Sequence, residues 1–81
     1  MDSAEIFNRI QDIFRNVFDD QKLIIERSTN SESIEDWDSL NHINLIVAME
    51  KEFSTRFSLE DIQGLKDVGE MADLINKRIN K

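Results

Sequence analysis

Apolar residues recur at steps of three and four along most of this sequence, and almost nothing interrupts them: proline is absent and glycine occurs only at 64 and 69. An all-β chain needs many tight turns, and tight turns draw on those two residues. The fold class is therefore expected to be all-α. Ile6, Phe7, Ile10, Ile13, Phe14, Val17 and Phe18 form one continuous stripe, which predicts a first helix from about Ser3 to Phe18. Asp2 or Ser3 can accept from its free first-turn amides, and the acids Asp19 and Asp20, unfavourable at a helix C-terminus, mark its end.

Residues 19–38 lose the period. A connection of that length is uncommon in a compact domain and is often functional; Leu23, Ile24, Ile25, Ile34 and Trp37 are expected to pin it to the bundle. A second helix fits Ser39 to Phe53, capped by Asp38 or Ser39. A short helix follows, with Ser58 as cap and Leu59, Ile62 and Leu65 at spacing three. The last begins at Asp67, with Glu70 three residues on as in a capping box. Its stripe is Val68, Met71, Ala72, Ile75 and Ile79, and Lys77, Arg78 and Lys81 suit its C-terminus. The expectation is a four-helix bundle with three long helices, one short helix and a long first loop.

Eighty-one residues make a single domain, 1–81, with no room for a second core. The formal charge of −7 repels phosphate backbones and anionic headgroups, so neither nucleic acid nor membrane insertion is expected. It favours partners with basic patches. No stretch reaches the ~20 apolar residues of a membrane span. The start, Met1-Asp2-Ser3-Ala4-Glu5, lacks the basic, apolar pattern of a signal peptide. A cytoplasmic monomer is expected. Cysteine is absent, so any thioester chemistry must borrow its sulfur from outside the chain.

At roughly 100° per residue with Leu40 at zero, Met49, His42, Phe53, Ile46, Ile43 and Val47 fall between roughly 180° and 340°. Leu45, near 140°, widens this apolar arc to about 200°, which predicts a helix packed on two sides or lining a cavity. Ser39 projects at about 260°, over the middle of the arc. A group on its oxygen would stand at the helix N-terminus, where first-turn amides and the helix dipole favour an anion. Asp36 and Asp38 oppose that field. A serine at such a place is ordinarily a cap, and Asp-Ser-Leu alone is a weak signal.

The longer context is specific. Trp37-Asp38-Ser39-Leu40-Asn41-His42-Ile43-Asn44-Leu45-Ile46, then Met49-Glu50-Lys51-Glu52-Phe53, Phe57, Leu59-Glu60-Asp61-Ile62 and the Asp67-Val68 helix resemble the acyl carrier protein family along nearly the whole chain. The resemblance implies an acyl-carrier-like bundle, not an enzyme, with 4'-phosphopantetheine from coenzyme A attached covalently to Ser39 by a phosphopantetheinyl transferase using magnesium. Asp38 and Leu40 are the signature neighbours, and Asp38 is a group the transferase could engage. The arm would supply the missing thiol and carry acyl groups as thioesters in fatty-acid, lipid or specialised metabolite biosynthesis. Ile43, Ile46, Val47, Met49 and Phe53 on one side, with Ile62, Leu65 and Met71 on the other, are the candidate walls of an acyl pocket; each is also an ordinary core residue.

The sequence departs from the family's general members along helix two. Their row of acids, used to dock basic loading and transfer enzymes, is replaced here by Asn41, Asn44 and Lys51, with Glu50 retained. Together with Trp37, this resembles carriers of specialised pathways, including aminoacyl transfer for cell-surface modification. The competing reading is an unmodified helical adaptor. His42 lies one turn after Ser39, but with no second catalytic group in reach it is read as a ring bordering the arm. A calcium loop of the Asp-x-Asp-x-Asp-Gly kind is absent, and no metal site is expected.

Overall fold

Asp2 caps the first helix, α1 (Ser3–Val17), its carboxylate accepting from the Glu5 amide at 2.8 Å. The computed structural model describes residues 1–80 and is all-helical in its regular elements: α1, α2 (Ser39–Phe53), α3 (Leu59–Gly64) and α4 (Val68–Ile79). Lys81, expected near the end of α4, lies outside the described residues. Phe18 ends α1, and Asp19 follows with φ of 50°. Aspartate tolerates this left-handed conformation better than most residues, so Asp19 turns the chain out of the helix as a glycine commonly would.

The stripe of α1 delivers Ile6, Ile10, Ile13 and Phe14 to the core, and α1 packs on both α2 and α4. Leu45, Ile46, Met49 and Phe53 face it from α2, and Val68, Met71, Ala72 and Ile75 from α4. The wide apolar arc of α2 therefore divides. Its half near 140–240° enters the core, whereas Leu40 (70% exposed), Ile43 (48%) and Val47 (42%) form a ridge in solvent. That second half stays outside the core, because α1 packs against only one side of α2.

The long first loop is sewn down from Leu23 to Thr29. Arg15 Nε donates to the Leu23 carbonyl at 2.7 Å, and the Ile25 amide donates to Gln11 Oε1 at 3.1 Å. Further on, the carbonyls of Thr29 and Arg27 accept from the Val68 and Gly69 amides at 3.0 and 2.8 Å. The loop thus satisfies first-turn amides of α4 that no helical carbonyl can reach. Gly69 suits this approach: a Cβ there would meet the Arg27 carbonyl at 3.1 Å, so a larger residue would have to push the loop back by a few tenths of an ångström. Of the expected anchors, Ile25 and Trp37 are buried, and Leu23 and Ile34 pack against the core. Ile24 is 74% exposed and anchors nothing. Outside a helix, neighbouring side chains diverge, so Leu23 and Ile25 turn inward together and Ile24 outward.

The capping box lies on α3. Ser58 accepts from the Asp61 amide at 3.1 Å while Asp61 accepts from the Ser58 amide at 3.0 Å. At α4, Asp67 accepts from the Glu70 amide at 2.8 Å, but Glu70 turns back to the Lys66 amide at 3.1 Å, so the expected reciprocal box is replaced by a longer clasp. Asp61 also pairs with Arg78, joining α3 to α4. The Ser58 amide, then its hydroxyl and Arg78, hold the Asp61 carboxyl below the usual aspartate range against the opposing effect of partial burial.

A carboxyl held low contributes stability above its ordinary titration near pH 4 and loses it as pH falls through the lower folded value. Asp61→Asn is therefore expected to be less stable than the native chain at neutral pH. Urea unfolding followed by circular dichroism should show that difference closing below about pH 4. A difference that widens on acidification would contradict the assignment.

Candidate functional site

The candidate residues gather where the first loop runs into α2. Asp38 is the cap: its backbone is extended, and its carboxylate accepts from the Asn41 amide at 2.8 Å while its carbonyl accepts from the His42 amide at 2.9 Å. Asn41 returns the contact, its Nδ2 donating to the Asp36 carbonyl at 2.8 Å, which fixes the acidic stretch against the helix start. Ser39 is the first residue of α2 and is exposed. With Asp38 acting as cap, the Ser39 hydroxyl is free of the duty a serine at a helix start ordinarily performs. The Ser39 and Leu40 amides, in the first turn, have no helical acceptor.

A cleft of about 740 Å³ opens beside Ser39. Asn30, Ser31 and Glu32 of the first loop line one side, Trp37, Asp38 and His42 lie around the serine, and Ile43, Leu65 and Lys66 complete it. Its floor is organised by Trp37. The indole is buried, stands edge-on to Phe14 with centroids 5.3 Å apart and planes at 79°, and donates Nε1–H to His42 Nδ1 at 3.2 Å. The indole nitrogen is only a donor, so His42 Nδ1 accepts and the ring proton resides on Nε2. From there it donates to the Ile62 carbonyl at 3.3 Å. His42 is thus fully engaged in joining the loop, α2 and α3, which agrees with a bordering ring and leaves it no free nitrogen for base chemistry.

The candidate pocket residues separate into three groups. Ile43 and Leu65 line the cleft. Ile46, Met49, Phe53 and Met71 lie in the core cluster, and Ile62 packs against it half-buried. Val47 faces solvent on the ridge of α2. Sequence reasoning did not pick out Asn30, Ser31, Glu32 and Lys66 as site residues. They come from two segments with no period to follow, brought together by the bridge between Asn30 and Asp67. The field is mixed: Asp38 and Glu32 face the cleft with one cation, Lys66. An exposed hydroxyl at a helix N-terminus, first-turn amides and a neighbouring ammonium suit a phosphodiester. Among the described residues no group of histidines and carboxylates could hold a metal ion, and no helix is long and apolar enough to cross a membrane.

Comparison with known proteins places the chain among its relatives. A family profile described as a phosphopantetheine attachment site matches residues 8–75. An acyl carrier protein of Lactobacillus acidophilus is 31% identical over 75 residues, covering 93% of this chain and 94% of the relative. One from Lactobacillus johnsonii is 29% identical over 80 residues, covering 99% and 100%. Among solved structures, the solution NMR structure of the holo acyl carrier protein of Geobacter metallireducens superposes with a TM-score of 0.86 at 41% identity, covering 93% of this chain and 86% of that one.

Proposed function

Because the chain belongs to the acyl carrier protein family, and so bears a covalent 4'-phosphopantetheine arm, we propose that Ser39 is the residue to which that arm is joined. The arm supplies a thiol that holds acyl groups as thioesters. The observation that supports Ser39 is the division of labour at the start of α2: Asp38 caps the helix and the adjacent hydroxyl stands exposed and unemployed. Attachment there costs the fold no hydrogen bond of the cap. The first-turn amides hold the phosphodiester's negative charge, and Lys66 offsets part of the opposing field of Asp38. Asp38 is also within reach of a transferase seated on the helix start.

The protein works as a cytoplasmic monomer with no catalytic residues of its own. It is loaded by a phosphopantetheinyl transferase and visited by acyl-loading and acyl-transfer enzymes. The solvent ridge of Leu40, Ile43 and Val47, flanked by Asn41, Asn44 and Lys51 rather than by a row of acids, favours a specialised pathway over general fatty-acid synthesis. Incubation with coenzyme A, magnesium and a broad-specificity transferase is expected to raise the intact mass by one arm. Absence of that gain, with the transferase active on a control carrier, would make the chain an unmodified helical adaptor.

A further inference from the structure

The Trp37–His42–Ile62 link lies within one turn of Ser39 and crosses the seam between α2 and α3. An acyl chain turning from the serine into that seam meets the link. Passage would free the indole N–H and both imidazole nitrogens together, although the Ile62 carbonyl keeps the Leu65 amide at 3.4 Å, and would part the indole from Phe14. Beyond the link there is little to gain. Ile46, Met49 and Met71 are at most 2% exposed and share one cluster with Phe14 and Ile75. A methylene gains from burial only by entering space that is not already filled by other apolar atoms. Outside the link the cleft offers the hydrogen-bonding side chains of Asn30, Ser31, Glu32 and Lys66 beside the apolar Ile43 and Leu65.

We propose that Trp37 and His42 act as specificity-determining residues, closing the core to the cargo, and that the protein carries a short acyl group with a hydrogen-bonding substituent held in the outer cleft. A long saturated chain gains no enclosure: past the edge formed by Ile43 and Leu65 it stays in solvent. This rests on attachment at Ser39. Closure is a property of three bonded groups from three segments: the indole of the loop, the imidazole of α2 and a carbonyl of α3.

The test loads acetyl, glycolyl, hexanoyl and decanoyl arms from their coenzyme A thioesters, with intact mass confirming each. Hydroxylamine cleavage of each thioester is then timed relative to the same acyl group on free pantetheine. The native chain should cleave hexanoyl and decanoyl within about twofold of acetyl, since sheltering would slow cleavage by about fourfold per enclosed methylene on the transfer scale. Glycolyl should be protected relative to acetyl. His42→Ala and Trp37→Phe, checked for a retained helical spectrum, should introduce chain-length-dependent protection. Tenfold or greater slowing of decanoyl in the native chain overturns the closure, and unprotected glycolyl overturns the polar cleft. These native-chain outcomes decide the matter even if a variant fails to fold. A chain that gains no arm fails at the Ser39 assignment instead, and the intact mass separates the two failures.

Discussion

Ser39→Ala is expected to abolish arm attachment completely while leaving the helical spectrum and melting temperature nearly unchanged. The two halves of that expectation have separate causes. The hydroxyl oxygen is the atom that would form the new phosphoester bond, so its removal leaves nothing to modify. The fold is spared because Asp38, not Ser39, accepts from the Asn41 amide. An exposed serine with no cap to lose is a surface substitution, within about 0.5 kcal/mol of neutral. Asp38→Ala makes the contrasting case: the cap is lost at a cost of about 1 kcal/mol, typical for such a residue. Intact mass and thermal melts of the two variants, run side by side, check both statements. An alanine variant at 39 that still gains an arm would move the site elsewhere.

Phe14→Ala is expected to leave the chain at or beyond the edge of unfolding. The ring is fully buried among the core residues of α1, α2 and α4, with Phe18 and Trp37 against it at centroid distances of 5.9 and 5.3 Å. Emptying such a position costs about 3–5 kcal/mol, whereas a domain of this length has a total stability of only about 4–12 kcal/mol. At roughly 4–8 °C per kcal/mol, the midpoint should fall by at least about 12 °C. The damage reaches the site as well, since Phe14 is the surface on which the Trp37 indole stands. Calorimetry with tryptophan emission measures both effects; a midpoint shift of a few degrees with unchanged emission would mean that the core closes over the loss.

The helices were legible in the sequence because their burial follows a single period. Ile6, Ile10, Ile13 and Phe14, like Val68, Met71, Ala72 and Ile75, occupy the positions their spacing assigns. Boundaries were legible where one residue had one role, as with Asp67 before α4. At Asp38-Ser39 two residues could fill one role, and only geometry assigned the cap to Asp38. The apolar arc of α2 was legible only in part, because spacing tells which side chains share a face but not what covers each of them: Ile43 lines the cleft, whereas Val47 stays in solvent. The clasp of Glu70 on Lys66 was hidden for a similar reason, since a capping-box spacing does not say which amide the acid will reach. The cleft walls and the Trp37–His42–Ile62 link depend on contacts among three segments, and no local pattern encodes them.

The pairing of Arg27 and Thr29 carbonyls with the first amides of α4 has a kinetic consequence. The chain must close a loop spanning nearly half its length before α4 acquires its proper beginning, and that closure cost precedes any return in packing. The last helix and the first loop are therefore one cooperative unit, formed and lost together. Slow amide exchange at Val68 and Gly69 reports the docking of residues 27–29 rather than the propensity of α4, and anything that pulls the loop away from the cleft loosens the start of α4 with it.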